Sequence, residues 1–311
     1  MYRLAHLSDI HLGPLPDIAY RELLSKRVVG YVNWHRNRRF FMHDNVIDKI
    51  VADMQAGKPD HIAVTVDLVN LALDREIELA RLWLETLGTP ENVSVVPGNH
   101  DAYVPGAFDK VCRSWEPWMQ GDGGSGPIGR TTFPYLRVRG QVALIGVTSA
   151  RATAPFMATG YFREEQSTRL DKLLAETGRR GLFRVVMIHH PPVRQAVAAI
   201  KRLFGITRFQ NCVREHGAEL VLHGHSHLPS LYWIDGRNGP VPVVGVTAAG
   251  QGHGGLKPPG QHNIIDISGK PGNWSIRLTR RGLIGRGLTP QEITSIDLVP
   301  HHGVQPALEP N

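Results

Sequence analysis

The chain has 311 residues, 41% of them hydrophobic, enough for one large domain or two small ones and too apolar for a disordered protein. Its two cysteines, Cys112 and Cys212, lie far apart, which argues against a disulfide framework or a thiolate metal site and for a reducing, cytoplasmic compartment. A formal charge of +7 favours anionic partners such as phosphate esters, nucleic acid or acidic lipid headgroups.

The opening residues lack the basic start, apolar core and cleavage site of a secretory signal, so a soluble protein is expected, with contact to a membrane surface left open. Apolar runs of strand length occur at 4–7, 61–66, 93–96, 142–147, 184–189, 219–222 and 241–246. Rich in valine and isoleucine and too short for helices, they predict buried strands. Between them lie helical patterns. Over 44–57, Val46, Ile47, Ile50, Val51 and Met54 share one face, with Asp44 or Asn45 to cap the start and Gly57 to close the end. Further helices are expected at about 74–87 and 164–175. The alternation predicts an α/β core. The segments 264–268 and 274–280 follow glycine-rich turns without a helix and predict antiparallel strands. Together these imply two stacked mixed β-sheets flanked by helices, in one domain over 1–300, with a loosely ordered tail over 301–311.

Polar clusters stand where the apolar runs stop. "HLSDIHL" supplies Asp9 and His11, "VTVDLVN" Asp67, and "VVPGNHD" Asn99, His100 and Asp101; "MIHHPP" supplies His189 and His190, and "LHGHSH" His223, His225 and His227. Singly, each has a plain structural explanation, as a turn, a helix cap or a surface histidine. Loops beyond the carboxyl ends of strands converge in α/β sheets, however, and these together offer carboxylates, an amide oxygen and imidazoles without a thiolate. Such N/O donors suit manganese, iron or zinc, and they are too many for one ion. Two ions sharing a bridging carboxylate fit better, an arrangement suited to in-line displacement at phosphorus.

Asp-x-His, Asp with Asn three residues on, Gly-Asn-His-Asp, His, and Gly-His-x-His, in that order over residues 4 to about 227, resemble the signature of the calcineurin-like metallophosphoesterases. The resemblance implies a four-layer sandwich and a dinuclear metal-dependent phosphoesterase acting on a phosphodiester: a cyclic nucleotide, a glycerophosphodiester or a nucleotide-linked pyrophosphate. It implies that Asp9, His11 and His227 hold one metal, that Asn99, His189 and His225 hold the other, and that Asp67 bridges them. A metal-bridging hydroxide would be the nucleophile. His100 would stabilise phosphoryl charge or protonate the leaving group, its ring oriented by Asp101. His190 and His223, beside expected ligands, are read as supporting residues. The family nearly always has glycine before the bridging aspartate, where this chain has Val66. A β-branched residue tolerates close backbone approach poorly, which leaves a metal-binding scaffold with little turnover as an alternative.

Residues 20–44 carry Arg21, Lys26, Arg27, Arg36, Arg38 and Arg39 against Glu22 and Asp44, interleaved with Tyr31, Trp34, Phe40 and Phe41. This insertion is a solvated basic helix, a lid in which Arg36, Arg38 and Arg39 meet phosphate, or a face for peripheral contact with an anionic membrane. It is also similar to an insertion in enzymes cleaving the pyrophosphate of UDP-2,3-diacylglucosamine, a second alternative. The glycine-rich 248–260 lacks the context of a phosphate-cradling loop and is read as a flexible border of the site, in which His253 is either a plain loop histidine or a substrate contact. No nucleic-acid module is recognised, and metal identity and oligomeric state stay open.

Overall fold

Each of these apolar runs becomes a strand in one of two six-stranded sheets of the computed structural model, which describes residues 1–42, 44–285 and 287–299. The expected tail over 301–311 lies outside the described residues. One sheet runs in the order Gln291–Asp297, Asn273–Gly282, Gln261–Lys270, Tyr2–Ser8, His61–Thr65, Val93–Val96, the last three mutually parallel and the other pairings antiparallel. The other runs Leu231–Ile234, Val241–Gly245, Leu220–His223, Phe183–Met187, Val142–Gly146, Tyr135–Arg139, with parallel inner strands and antiparallel edges. The parallel strands of both sheets carry the polar motifs at their carboxyl ends.

Period-two alternation decides which side chains face which layer. Leu144, Val185 and Leu222 of the second sheet join Val64 and Ile265 of the first, and Ile50 and Leu84 of the helices, in one buried cluster. Their alternates Ile145, Val186 and Val221 pack outward on Leu170, Leu174, Phe209 and Val213. The first pair of these belongs to the helix Glu164–Arg179 and the second to Ile206–His216. Burying each such side chain is worth about 1.5–3 kcal/mol relative to leaving it in water. No helix among the described residues is long and apolar enough to cross a membrane.

The helix Asp44–Ala56 is tied to the first sheet by Asp53, which accepts from both Arg281 Nε and Nη2 at 2.8 Å and from His262 Nε2 at 2.7 Å. Burial alone would raise the Asp53 pKa, but these donors outweigh it and hold the carboxyl well below its ordinary range. Stability from this group is therefore present above the unfolded pKa of about 3.9 and lost as pH falls through and below it. Asp53→Asn is expected to lower the melting temperature at neutral pH by several degrees, and the gap from the parent should begin to narrow only below about pH 4 and shrink progressively with further acidification.

Helix Asp74–Leu87 fixes the loop after His61–Thr65. The Glu76 carboxylate accepts from the amides of Asn70 at 2.8 Å and of Leu71 and Leu73 at 3.0 Å, so the chain just past Asp67 is locked to the helix start. The insertion, described as far as Met42, forms short helices Tyr20–Leu23, Arg27–Asn33 and Arg39–Phe41 with a π-helical turn Trp34–Arg38 among them.

Candidate dinuclear metal site

The first loop turns sharply: Asp9 and His11 have φ of 50° and 49°, and His225 and His227 of the last loop have 66° and 56°. Left-handed backbone at non-glycine residues is costly and persists where surroundings over-determine it, often at functional sites. Here the surroundings are hydrogen bonds. Asp9 Oδ2 accepts from Ser8 Oγ at 2.7 Å and from the His225 amide at 2.8 Å, which joins the first loop to the last. Its Oδ1 lies 3.2 Å from His227 Nε2. His11 Nδ1–H donates to Val69 O at 3.3 Å, which fixes Nε2 as the free donor atom.

The middle of the cluster is Asp67. Its Oδ1 accepts from the His100 amide at 2.7 Å, while Oδ2 stands 3.4 Å from His189 Nε2 and 4.0 Å from His11 Nε2. His189 Nδ1–H donates to Thr65 O at 3.0 Å, so its Nε2 faces Asp67 and also Asn99 Oδ1 at 3.3 Å. The His225 ring packs 5.1 Å from that of His189. Three overlapping sets each bring donor atoms within 4.8 Å of one another: Asp9, His11 and His227; Asp9, Asp67 and His189; His189, His190 and His225. His190 joins the last set, yet its nitrogens are engaged by Ser149 Oγ at 2.7 Å and Ala158 O at 3.1 Å. That leaves it a supporting neighbour.

These donors fit metal cations. His11 Nε2 is buried with no hydrogen-bond partner among the described residues, a costly state for a polar atom unless an ion satisfies it. Burial, with the charge of Arg38, holds His11 far below the usual imidazole range; burial, with His190, does the same for His225. Neutral imidazole is the ligating form. Burial would lower His189 too, but the Asp67 carboxylate overrides it and raises the pKa to about 9, so an incoming cation must displace that proton.

Two glycines permit the close approach. A Cβ at Gly98 would collide with Val66 O and the Asp67 carboxylate, and one at Gly224 with Ser8 Oγ. Asp101, expected to orient the His100 ring, does something else. Its carboxylate accepts from the amides of Leu68 at 2.9 Å and Gly98 at 2.8 Å, clamping the second loop to the third. The ring of His100 is instead held by Nδ1–H donating to Asn70 O at 2.6 Å, and it stacks on Tyr103 at 5.1 Å. Arg38 Nη2 donates to His100 Nε2 at 2.8 Å. Burial and then Arg38 lower the His100 pKa to about 3.

Above the cluster opens a cavity of about 420 Å³ whose lining includes Asp67, Asn99, His100, His225 and His227 together with Lys26, Arg36, Arg38, Lys201, Val29, Val32, Phe156 and Met157. Of the arginines proposed to meet phosphate, Arg36 and Arg38 are among the lining residues. Arg39 and His253 do not line the cavity: Arg39 lies over Phe40 and His253 bonds Gly287 O at 2.8 Å. Lys201 and Tyr103 escaped the sequence reading because each stands outside any motif.

The family model described as calcineurin-like phosphoesterase matches residues 2–229. The chain belongs to that family. Among solved structures it is similar to a dimetal phosphatase from Danio rerio, at 11% identity and a TM-score of 0.58, covering 96% of this chain and 99% of that one. A Vps29 double mutant from Entamoeba histolytica is 10% identical over 96% of this chain and 99% of that one, with a TM-score of 0.43. At these identities the first likeness shows the fold. No curated protein sequence matches the chain.

Within this calcineurin-like phosphoesterase the departure at Val66 is accommodated. Its backbone stays out of the left-handed region, its amide donates to Val96 O at 3.1 Å, and its side chain is fully buried in the core. The carbonyl of Val66 is approached closely by Gly98, where a Cβ would collide with it. Val66→Gly should therefore leave a core cavity and gain no activity, with a loss of about 2–4 kcal/mol in denaturant unfolding.

Proposed function

We propose that this calcineurin-like phosphoesterase is a metal-dependent phosphodiesterase, with Asp9, His11 and His227 holding one ion, Asn99, His189 and His225 the other, and Asp67 between them. The observation that carries it is the buried donor cluster at the floor of a cavity whose walls combine Lys26, Arg36, Arg38 and Lys201 with Val29, Val32, Phe156 and Met157. When bound, such ions supply Lewis acidity toward phosphoryl oxygens and activate water. The chain's own groups bind and orient. The cationic wall receives the single negative charge of a diester, and the apolar wall takes one of its two substituents, whereas a dianionic monoester has only one. Asn70 O fixes the His100 proton on Nδ1, so Nε2 faces the cavity together with Arg38. Nε2 carries a lone pair while Arg38 donates to it; once Arg38 turns to the phosphate, Nε2 is the atom that takes up a proton from water and passes it to the leaving oxygen. Cyclic nucleotides, glycerophosphodiesters and nucleotide-linked pyrophosphates all meet these requirements.

The test is hydrolysis of bis-p-nitrophenyl phosphate and of p-nitrophenyl phosphate by chelator-stripped protein, with and without manganese. Manganese-dependent turnover favouring the diester is expected. Preference for the monoester would make the protein a phosphomonoesterase, and silence on both with metal bound would return it to the scaffold alternative.

A further inference from the structure

Apart from Met1, the large apolar side chains most exposed among the described residues are Tyr20 at 91%, Leu24 at 85%, Phe156 at 77% and Leu256, which is fully exposed. Phe156 lines the cavity, Tyr20 and Leu24 stand on the insertion that lines it from Lys26 to Arg38, and Leu256 stands on a loop hydrogen-bonded to the loop of His225 and His227. Tyr20 and Leu24 begin the insertion, and Lys26 just beyond them donates to Thr153 Oγ1 at 2.6 Å and Met157 O at 2.8 Å, which ties the insertion to the loop of Phe156. Leu256 precedes Lys257, whose Nζ donates at 3.1 Å to the carbonyl of Ser226, between the expected ligands His225 and His227. The insertion, the loop of Phe156 and the loop of Leu256 are thus each tied to the site.

Their charge is one-sided. Arg21, Arg36, Arg39, Lys201 and Arg202 are exposed on these same segments. Over residues 20–42, 151–158, 198–204 and 252–260 the one carboxylate is Glu22, and it is occupied by the Ala19 amide at 2.9 Å. Fully exposed leucines among cations serve little in nucleic-acid binding, which uses aromatic stacking and hydrogen bonds. A second copy of the same segments would bring like charges together. An apolar set ringed by lysine and arginine suits the boundary between acidic headgroups and acyl chains.

We propose that the mouth of the cavity seats on an anionic lipid surface, so that the phosphodiester reaching the site belongs to a lipid. The substrate part of this proposal rests on the phosphodiesterase assignment; the surface part does not. The experiment is co-sedimentation of the full chain with phosphatidylcholine vesicles and with vesicles containing phosphatidylglycerol, at low and high salt, for the parent and for Leu24→Ser/Leu256→Ser. The parent is expected to sediment with the phosphatidylglycerol vesicles and to be released by high salt. The double variant should partition at least about tenfold more weakly while hydrolysing bis-p-nitrophenyl phosphate like the parent, which also serves as its folding control. Failure of the parent to prefer anionic vesicles, or equal sedimentation of the variant, would overturn the proposal. A parent dimer that the two substitutions convert to monomer in sedimentation velocity would make this surface an interface between copies and overturn the proposal as well. Vesicle binding is read without turnover, so an inactive parent that still sediments would sink only the phosphodiesterase assignment.

Discussion

Asp67→Ala is expected to lower diester turnover by on the order of 10³-fold or more, since a catalytic metal contributes several kcal/mol of charge stabilisation. The carboxylate is placed for two tasks at once. Oδ2 faces His189 at 3.4 Å and His11 at 4.0 Å, one imidazole from each proposed ligand set, while Oδ1 receives the His100 amide at 2.7 Å. Alanine removes both, and so would also loosen the loop bearing Asn99 and His100. Asp67→Asn separates them, because the amide oxygen can still accept from His100 but carries no charge to hold cations together. Metal content after gel filtration should fall below two ions per chain in both variants, with the asparagine variant melting close to the parent. Two tightly held ions in Asp67→Ala would remove the residue from the bridging position.

The order of motifs along the chain made the parallel strands and their loops legible, because a buried parallel strand is a continuous apolar run and its carboxyl end is where polar residues collect. Edge elements were harder to see. Tyr135–Arg139, Leu231–Ile234 and Gln291–Asp297 lie at sheet edges and mix charged or half-exposed residues with apolar ones, so no run marks them. The helix Ile206–His216 buries only Phe209, Cys212 and Val213 among polar neighbours, too narrow a stripe to stand out. At the site, residue types were readable and side-chain directions were not. Adjacent residues after a strand diverge, which is why Asp101 clamps backbone amides while His100, one position earlier, faces the cavity. The tolerance of Val66 was equally hidden, because it depends on the backbone angle at that position and on the core space its side chain fills, neither of which a motif states.

His100→Ala should retain both metals and lower kcat by about 10²–10⁴-fold, the range for loss of a positioned proton donor or acceptor. No expected ligand depends on its ring: Nδ1 is used on Asn70 O and Nε2 on Arg38. Arg38→Ala is expected to weaken diester hydrolysis as well, through a higher KM from the lost cation and a lower kcat from the His100 ring it steadies. Arg38 Nη1 also donates to Asn70 Oδ1 at 3.2 Å, so the guanidinium braces the same residue whose carbonyl fixes the His100 tautomer. The two side chains therefore act through one network, and such groups are non-additive. The double variant should lose clearly less than the product of the two single losses. Fully multiplicative losses would mean that Arg38 meets the phosphate independently of His100, and an unchanged rate in His100→Ala would take the imidazole out of the chemistry and leave the cationic wall as the main protein contribution.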